Sequence, residues 1–379
     1  MPDTDTSGVK PLTSDRLVSL DLLRGLTVMG MILVNSMAGM AGEGAVYPTL
    51  LHSEWDGVTL ADLVFPAFLF MVGVSIPLSL REKPGASISP GEQHSRILWR
   101  SIRLVLLGFI LSNLWWFSDF EATTWRGFGV LQRIGLAYCA CALLFLWCSS
   151  RTRMVIAGAI LILYWPINLI PALDGLSNDL SQRGHNFVAS VDRVLLGDHN
   201  YVKGAAGYDP EGLLGTLPAI AQGLIGVAIG EYMLRAGRKG VTGHLILAGV
   251  AMLVAGYLWG FAFPVVKDIW SSSFVLVTSG ITILSLAAFH LLFDGQLMTG
   301  VRGLLGVVIL PFGVNAIAAY VLHMVTGSML GWDLLLAPYR SLSPSIGPEL
   351  ASFIPVGLYM AFIWLAVYYL WRRKWVVRI

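Results

Sequence analysis

The feature that most constrains this chain is a series of apolar blocks about 20 residues long, the length of helix that crosses a bilayer. They run at approximately 20–38, 59–80, 97–117, 127–148, 153–170, 213–234, 244–263, 272–292, 304–327 and 351–371. Composition excludes a soluble alternative. Hydrophobic residues fill 56% of the 379 positions and charged residues only 13%, with mean hydropathy +0.71, whereas a soluble domain carries roughly 25% charge. The expected fold is an all-α membrane protein, a polytopic bundle of about ten transmembrane helices, because a helix satisfies its own backbone polar groups in lipid.

Charge placement orients the bundle. One set of loops holds Arg16, then Arg81, Lys83, Arg96 and Arg100, then Arg151 and Arg153. It continues with Arg235, Arg238, Lys239 and Arg302, and ends on Arg372, Arg373 and Lys374. The alternate set is poor in Lys and Arg and carries Glu43, His52, Glu54, Asp56, Asp119, Glu121, Asp209 and Glu211. Basic loops stay in the cytoplasm, so both termini are expected there, in a bacterial inner membrane. Residues 1–15 read as a cytoplasmic tail, not a signal peptide. Residues 16–379 read as one transmembrane domain with a long periplasmic loop at about 171–212. Cys139, Cys141 and Cys148 share one apolar segment and read as packing residues, not a disulfide framework or a metal site.

Polar groups inside apolar spans are costly, so each is a candidate for function. Asn35 ends the first span and Asp62 begins the second, both on the acidic side. Gln132 and Arg133 lie roughly two turns inside the outer end of the fourth span. Asn315 falls mid-way along the ninth span and His323 near its outer end; eight residues apart, they share a broad helical face. Each also has a plainer reading. Asn35 could cap its helix, Asn315 and His323 could join helices, and Arg133 could pair with Asp62 or Asp209 or contact a donor. Asp209 and Glu211 open the sixth span, where the helix dipole favours carboxylates, or they hold an acceptor. Lys267 reads as solvated and Trp270 as an interface anchor. Ser271, Ser272, Ser273 and Thr278 could bond within their helix or line a tunnel. Pro66 is expected to kink or break the second helix.

Several stretches together resemble a known family. Arg16-Leu-Val-Ser-Leu-Asp-Leu-Leu-Arg-Gly-Leu-Thr leads to Val34-Asn35, and His52-Ser-Glu-Trp-Asp-Gly-Val-Thr-Leu-Ala-Asp-Leu-Val-Phe-Pro closes with Phe70-Met-Val-Gly73. Gly129-Val-Leu-Gln-Arg-Ile-Gly135, Tyr208-Asp-Pro-Glu-Gly-Leu-Leu-Gly-Thr-Leu-Pro218, Trp270-Ser-Ser-Ser-Phe-Val-Leu-Val-Thr278 and Pro311-Phe-Gly-Val-Asn-Ala316 follow in order. The run is similar to heparan-α-glucosaminide N-acetyltransferase and its bacterial relatives, with Asp56 where the animal enzymes usually carry Asn.

The resemblance implies transfer of acetyl from cytoplasmic acetyl-CoA to a glucosamine-type amine across the membrane. It places the active-site histidine on His52. Asp62 and Asp56 follow that residue at ten and four positions, so either carboxylate could orient the ring, and Asn35 could donate to the acetyl carbonyl or the amine. Acetyl transfer to an amine needs a base that titrates near neutrality, and histidine supplies one. Trp55, Asp56, Asp209 and Glu211 are the candidates for holding the acceptor. Arg133, Arg103, Ser273, Asn315 and His323 are the candidates for holding acetyl-CoA, with Arg24 and Arg100 also placed for its phosphates. The partners expected are a small amino-sugar acceptor, the lipid bilayer and a second copy in a homodimer; no metal and no nucleic acid are expected. Two rival readings stand beside this one: an amino-sugar transporter or permease, and an acyltransferase acting on a cell-wall or lipid-linked sugar.

Overall fold

The computed structural model describes residues 17–42, 44–80, 89–114, 125–236, 240–294, 301–329 and 333–377. The expected tail at 1–15 lies outside them, as do Arg16, Glu43, Arg81, Lys83, Asp119, Glu121, Arg238 and Lys239.

Helices account for all ten apolar segments. They are α1 (Val18–Met40), α2 (Leu60–Leu80), α3 (Pro90–Ser112), α4 (Val130–Trp147), α5 (Ser150–Asn168), α6 (Phe187–Leu196), α7 (Thr216–Ala236) and α8 (Val241–Gly260). Then come α9 (Ser272–Phe289), α10 (Val301–Val314), α11 (Ala316–Met329), α12 (Asp333–Ile346), α13 (Pro348–Ala351) and α14 (Phe353–Arg372). Among the described residues there is no strand, only two isolated bridges. The chain is an all-helical, multi-pass membrane protein. Large apolar side chains such as Val155, Ile162, Leu247, Leu258 and Leu365 point outward, a surface that lipid covers and water does not favour.

The count differs from ten. Among the described residues, seven helices are long and apolar enough to cross a membrane, eight if one bent pair counts as a single span. The amphipathic α3, which carries Glu92, Arg96, Arg100 and Arg103, and α5, which opens near Arg151 and Arg153, fall outside that number. The bent pair is the expected ninth span, which turns by 80° between α10 and α11 at Asn315. Pro311 has no N–H for the carbonyl of Val307, and the indole of Trp364 donates to that carbonyl at 3.4 Å instead. Among the described residues this bend has no repeat-related counterpart of the kind alternating access uses. Pro66 does not break α2, which continues through it.

Small residues bring the helices together. A Cβ added to Gly226 of α7 would fall 2.3 Å from the carbonyl oxygen of Phe70 on α2, so the two backbones touch there. On α10, a Cβ at Gly313 would fall 2.0 Å from the carbonyl of Asp21, near the start of α1. That contact fixes the level of the bend. Asn315 lies at the basic end of the bundle, not mid-way through it.

The segment between α5 and α7 holds α6 and is tied down by polar contacts. Arg193 pairs with Asp174 and donates to the carbonyls of Gly184 (2.8 Å) and Gly207 (3.0 Å). Asp192 accepts from the backbone N–H of Leu213 at 3.0 Å.

Candidate active site

His52 sits in the loop before α2, and the first turn of α2 aims Asp62 at it. The imidazole Nδ1 lies 2.7 Å from Asp62 Oδ1. The other oxygen, Oδ2, accepts from the N–H groups of Ser53 (2.9 Å) and Thr59 (3.1 Å) and from the Thr59 hydroxyl (3.0 Å). The Asp62 side chain is 1% exposed and that of His52 45%. A buried carboxylate with its lone pairs used holds one ring orientation; with Nδ1–H donating, Nε2 keeps its lone pair.

A second loop, 261–271, meets the first. The Asp56 carboxylate accepts from Val265 N–H at 2.9 Å, Gly57 N–H donates to Val265 at 3.0 Å, and Asp56 and Val266 form an isolated bridge. The Ser271 hydroxyl donates to Pro264 at 2.7 Å and accepts from Val266 N–H at 3.0 Å. This loop delivers Lys267, whose ammonium lies 3.0 Å from Nδ1 and 3.1 Å from Nε2 of His52 and 3.7 Å from Asp62 Oδ1. Lys267 is therefore not a solvated surface lysine. The next turn is strained: Trp270 is fully buried at φ +52°, a region a bulky residue occupies only when its surroundings hold it there. Its indole donates to Gln222 at 3.0 Å, and the Arg133 guanidinium lies 4.9 Å from its ring centroid. Trp270 is thus a buried pivot, not an interface anchor.

Arg133 is fully buried and bonds neither Asp62 nor Asp209 directly. Its Nη2 donates to the carbonyl of Gly212 at 3.2 Å, while Nε and Nη1 have no hydrogen-bond partner among the described residues. Asp209 and Glu211 lie ahead of α7, not in its first turn, and both pair with Arg126. Arg126 grips Asp209 through Nε (2.8 Å) and Nη2 (2.6 Å), bonds Glu211, and lies over the Tyr201 ring at 4.4 Å. Burial works to raise the Glu211 carboxyl, and the charges of Arg126, Arg133 and Lys267 outweigh it, holding that group below the usual carboxylate range.

The remaining candidates divide by position. Asn35 faces His323, Nδ2 to Nε2 at 3.4 Å, and the other ring nitrogen lies 3.2 Å from the Tyr359 hydroxyl. Asn315 bonds the segment after α14 at the opposite, basic end, so the two residues do not work on one face. Trp55 donates to the carbonyl of Leu180 at 2.7 Å and packs in an apolar cluster, joining the His52 loop to the segment before α6. Ser273 spends its hydroxyl on the carbonyl of Pro264 at 2.9 Å, Ser272 on Leu161 and Thr278 on Phe274. Arg103 is exposed on α3.

A cavity of about 310 Å³ enters from the basic end. Arg24 and Arg100 stand in its wall, Phe68 and Ser79 mark its extent along α2, and Leu131 and Ile317 face it from α4 and α11. From Ser79 to Phe68 it follows α2 for roughly 16 Å, and from Phe68 to Asp62 a further 9 Å or so remain, at 1.5 Å per residue. Arg24 Nη2 donates to Ser75 at 2.7 Å; Arg100 covers the Tyr138 ring at 4.5 Å, and its buried Nε has no hydrogen-bond partner among the described residues. Cations at the mouth of a narrow apolar channel suit an anionic head on a thin chain. Among the described residues no group of three or more His, Cys, Asp or Glu could hold a metal.

Sequence comparison adds the family. The heparan-alpha-glucosaminide N-acetyltransferase catalytic family matches residues 16–181, the stretch that holds His52, Asp62, Arg126 and Arg133. The human heparan-alpha-glucosaminide N-acetyltransferase (Homo sapiens) is 31% identical over 364 residues, covering 82% of this chain and 53% of its own length. Over these stretches the chain is similar to this family. The mouse enzyme of the same name (Mus musculus) is 28% identical over 382 residues, covering 87% of this chain and 56% of its own. The chain spans about half the length of the curated relatives it matches.

Lys267 and Arg126 carry no motif of their own. Their signal is one of place: both are basic residues in loops of the acidic face, where positive charge is otherwise scarce.

Proposed function

We propose that this protein is a transmembrane acetyltransferase. It takes acetyl from acetyl-CoA entering at the basic, cytoplasmic end and passes it to the amine of a glucosamine-type sugar at the opposite, periplasmic face of a bacterial inner membrane. The observation that carries this reading is the His52–Asp62 pair at 2.7 Å, a half-exposed base held by a buried carboxylate. The channel with Arg24 and Arg100 at its mouth, ending below that pair, supports the donor assignment.

Both substrates bind together. The CoA nucleotide stays near the basic face, with its thin arm in the channel. The amine nitrogen attacks the thioester carbonyl carbon while Nε2 of His52 accepts an amine proton, and Asp62 stabilises the imidazolium. The carbon–sulfur bond then breaks and the proton held on Nε2 of His52 passes to the leaving thiolate, so the products are CoA thiol and the N-acetyl sugar, with His52 regenerated. Lys267 covers Nε2 until the acceptor displaces it, and its ammonium then faces the oxyanion that forms on the acetyl carbonyl oxygen. Asp209 is spent on Arg126, and Glu211, bonded to Arg126 through one oxygen, is the carboxylate that meets the acceptor's polar groups.

The test supplies radiolabelled acetyl-CoA and glucosamine to purified wild-type and His52→Ala protein. Labelled N-acetylglucosamine from wild type alone is expected, and full activity in the variant would sink the assignment. Label retained on wild-type protein without acceptor, and lost in the variant, would replace direct transfer by an acetyl-histidine route.

A further inference from the structure

α14 ends at Arg372, and the chain then reverses. Lys374 adopts φ +58°, a conformation that non-glycine residues avoid, and Trp375 N–H returns to the carbonyl of Leu370 at 2.9 Å. The turn sends 375–377 under the bundle, where Asn315 receives it at two points. Asn315 Nδ2 donates to the carbonyl of Trp375 at 3.2 Å, and Val377 N–H donates to Asn315 Oδ1 at 3.1 Å. The primary amide thus pairs with the backbone as a neighbouring peptide would. Asn315 is fully buried and sits at the 80° bend. Val376 and Val377 form part of the wall of the 310 Å³ cavity, beside Arg24 and Arg100.

The segment is otherwise lightly held. Val376 is 42% exposed and Val377 44%, and among the described rings that of Trp375 meets only Tyr369, edge-on at 6.4 Å. Arg372, Arg373 and Lys374 bring three exposed cations to the same mouth.

We propose that Trp375–Val377 is a movable wall of the donor site and that Asn315 is the residue that positions it. This rests on the reading of the cavity as the acetyl-CoA channel. The wall swings out to admit the CoA arm and closes along it, while the preceding cations meet the nucleotide's phosphates. Asn315 therefore acts on donor affinity through the segment it holds, not on the chemistry at His52.

The experiment uses the full chain in nanodiscs and radiolabelled CoA as the probe. Equilibrium binding and release rate are compared for wild type, Asn315→Ala and Val377→Pro. The last removes the N–H that Asn315 accepts and stiffens the segment at that position, while leaving the buried Asn315 in place. Both variants are expected to release CoA about tenfold faster and to raise KM for acetyl-CoA by a similar factor, a modest loss of closure contacts. KM for the sugar and kcat at saturating donor stay at the wild-type value. In wild type, saturating CoA is expected to slow tryptic cleavage after Lys374. Unchanged CoA release in a folded Val377→Pro protein would overturn the wall while leaving the donor channel standing. Failure of wild type to bind CoA would overturn the donor assignment and the wall with it.

Discussion

Asp62 shows how much of a site one residue can organise. It receives two backbone N–H groups, one hydroxyl and the imidazole of His52, so its charge is spent on fixing the loop and the ring orientation. Asp62→Asn keeps the size and one oxygen but loses the charge and offers an NH₂ where an acceptor is needed. The expected outcome is a fall in kcat of about a hundredfold or more, the scale of a lost general base. Turnover at saturating donor and acceptor checks it, with CoA affinity as the control that does not move. That a carboxylate four or ten residues on could orient His52 was legible in the sequence; that Asp62 meets the ring while Asp56 bonds Val265 was decided by the fold. Lys267 was not legible. It lies 215 positions along the chain from His52, and only the Asp56–Val265 clasp between two loops brings it there.

Among the elements, the α2–α7 contact carries the site's support, since α2 holds Asp62 and α7 follows the Asp209–Glu211 segment. The backbones touch at Gly226, where an added Cβ would fall 2.3 Å from the Phe70 carbonyl oxygen. Gly226→Ala is therefore expected to force the helices apart and destabilise by about 1–3 kcal/mol, as overpacking does. Gly158→Ala on α5, where a Cβ meets none of the described atoms within 4 Å, is the matched control. Melting temperatures of the two variants in one detergent test this; equal values would refute the close contact. Apolar periodicity located these helices because lipid demands long hydrophobic runs. The bend at Asn315 escaped it, since the residues on either side are equally apolar and the turn is set by Pro311 and by Gly313 against α1.

For the molecule as a whole, α6 and its flanking loops must dock on the membrane bundle, and Asp192 lies at that junction. Burial pushes its carboxyl up to about 7, against the opposing pull of the Leu213 N–H and of Arg133. The unfolded chain loses this proton near pH 4 and the folded protein only near 7. Between those values the folded state holds more protons, so stability from this group is complete below about pH 4 and is lost as pH rises to about 7. Asp192→Asn, which keeps an oxygen for Leu213 N–H, is expected to flatten that decline and to melt a few degrees higher than wild type above neutrality. A melting series across this range decides it, and parallel curves would refute the buried neutral carboxyl. Gly212 belongs to the same junction: a Cβ there would meet an Asp192 carboxylate oxygen at 1.9 Å.

The sequence by itself determined that the chain crosses a membrane many times, which end of the bundle is basic, and which histidine has a carboxylate one helix start away. Those properties follow from local composition: transfer of apolar runs into lipid, the placement of Lys and Arg, and short-range geometry. Only the tertiary structure decided that Lys267 lies over His52, that Arg126 claims Asp209 and Glu211, and that Asn315 works at the basic end. Each depends on a contact between segments far apart in the chain, and a buried charge takes whichever opposite charge the packing brings within reach. No periodicity in the sequence records that choice.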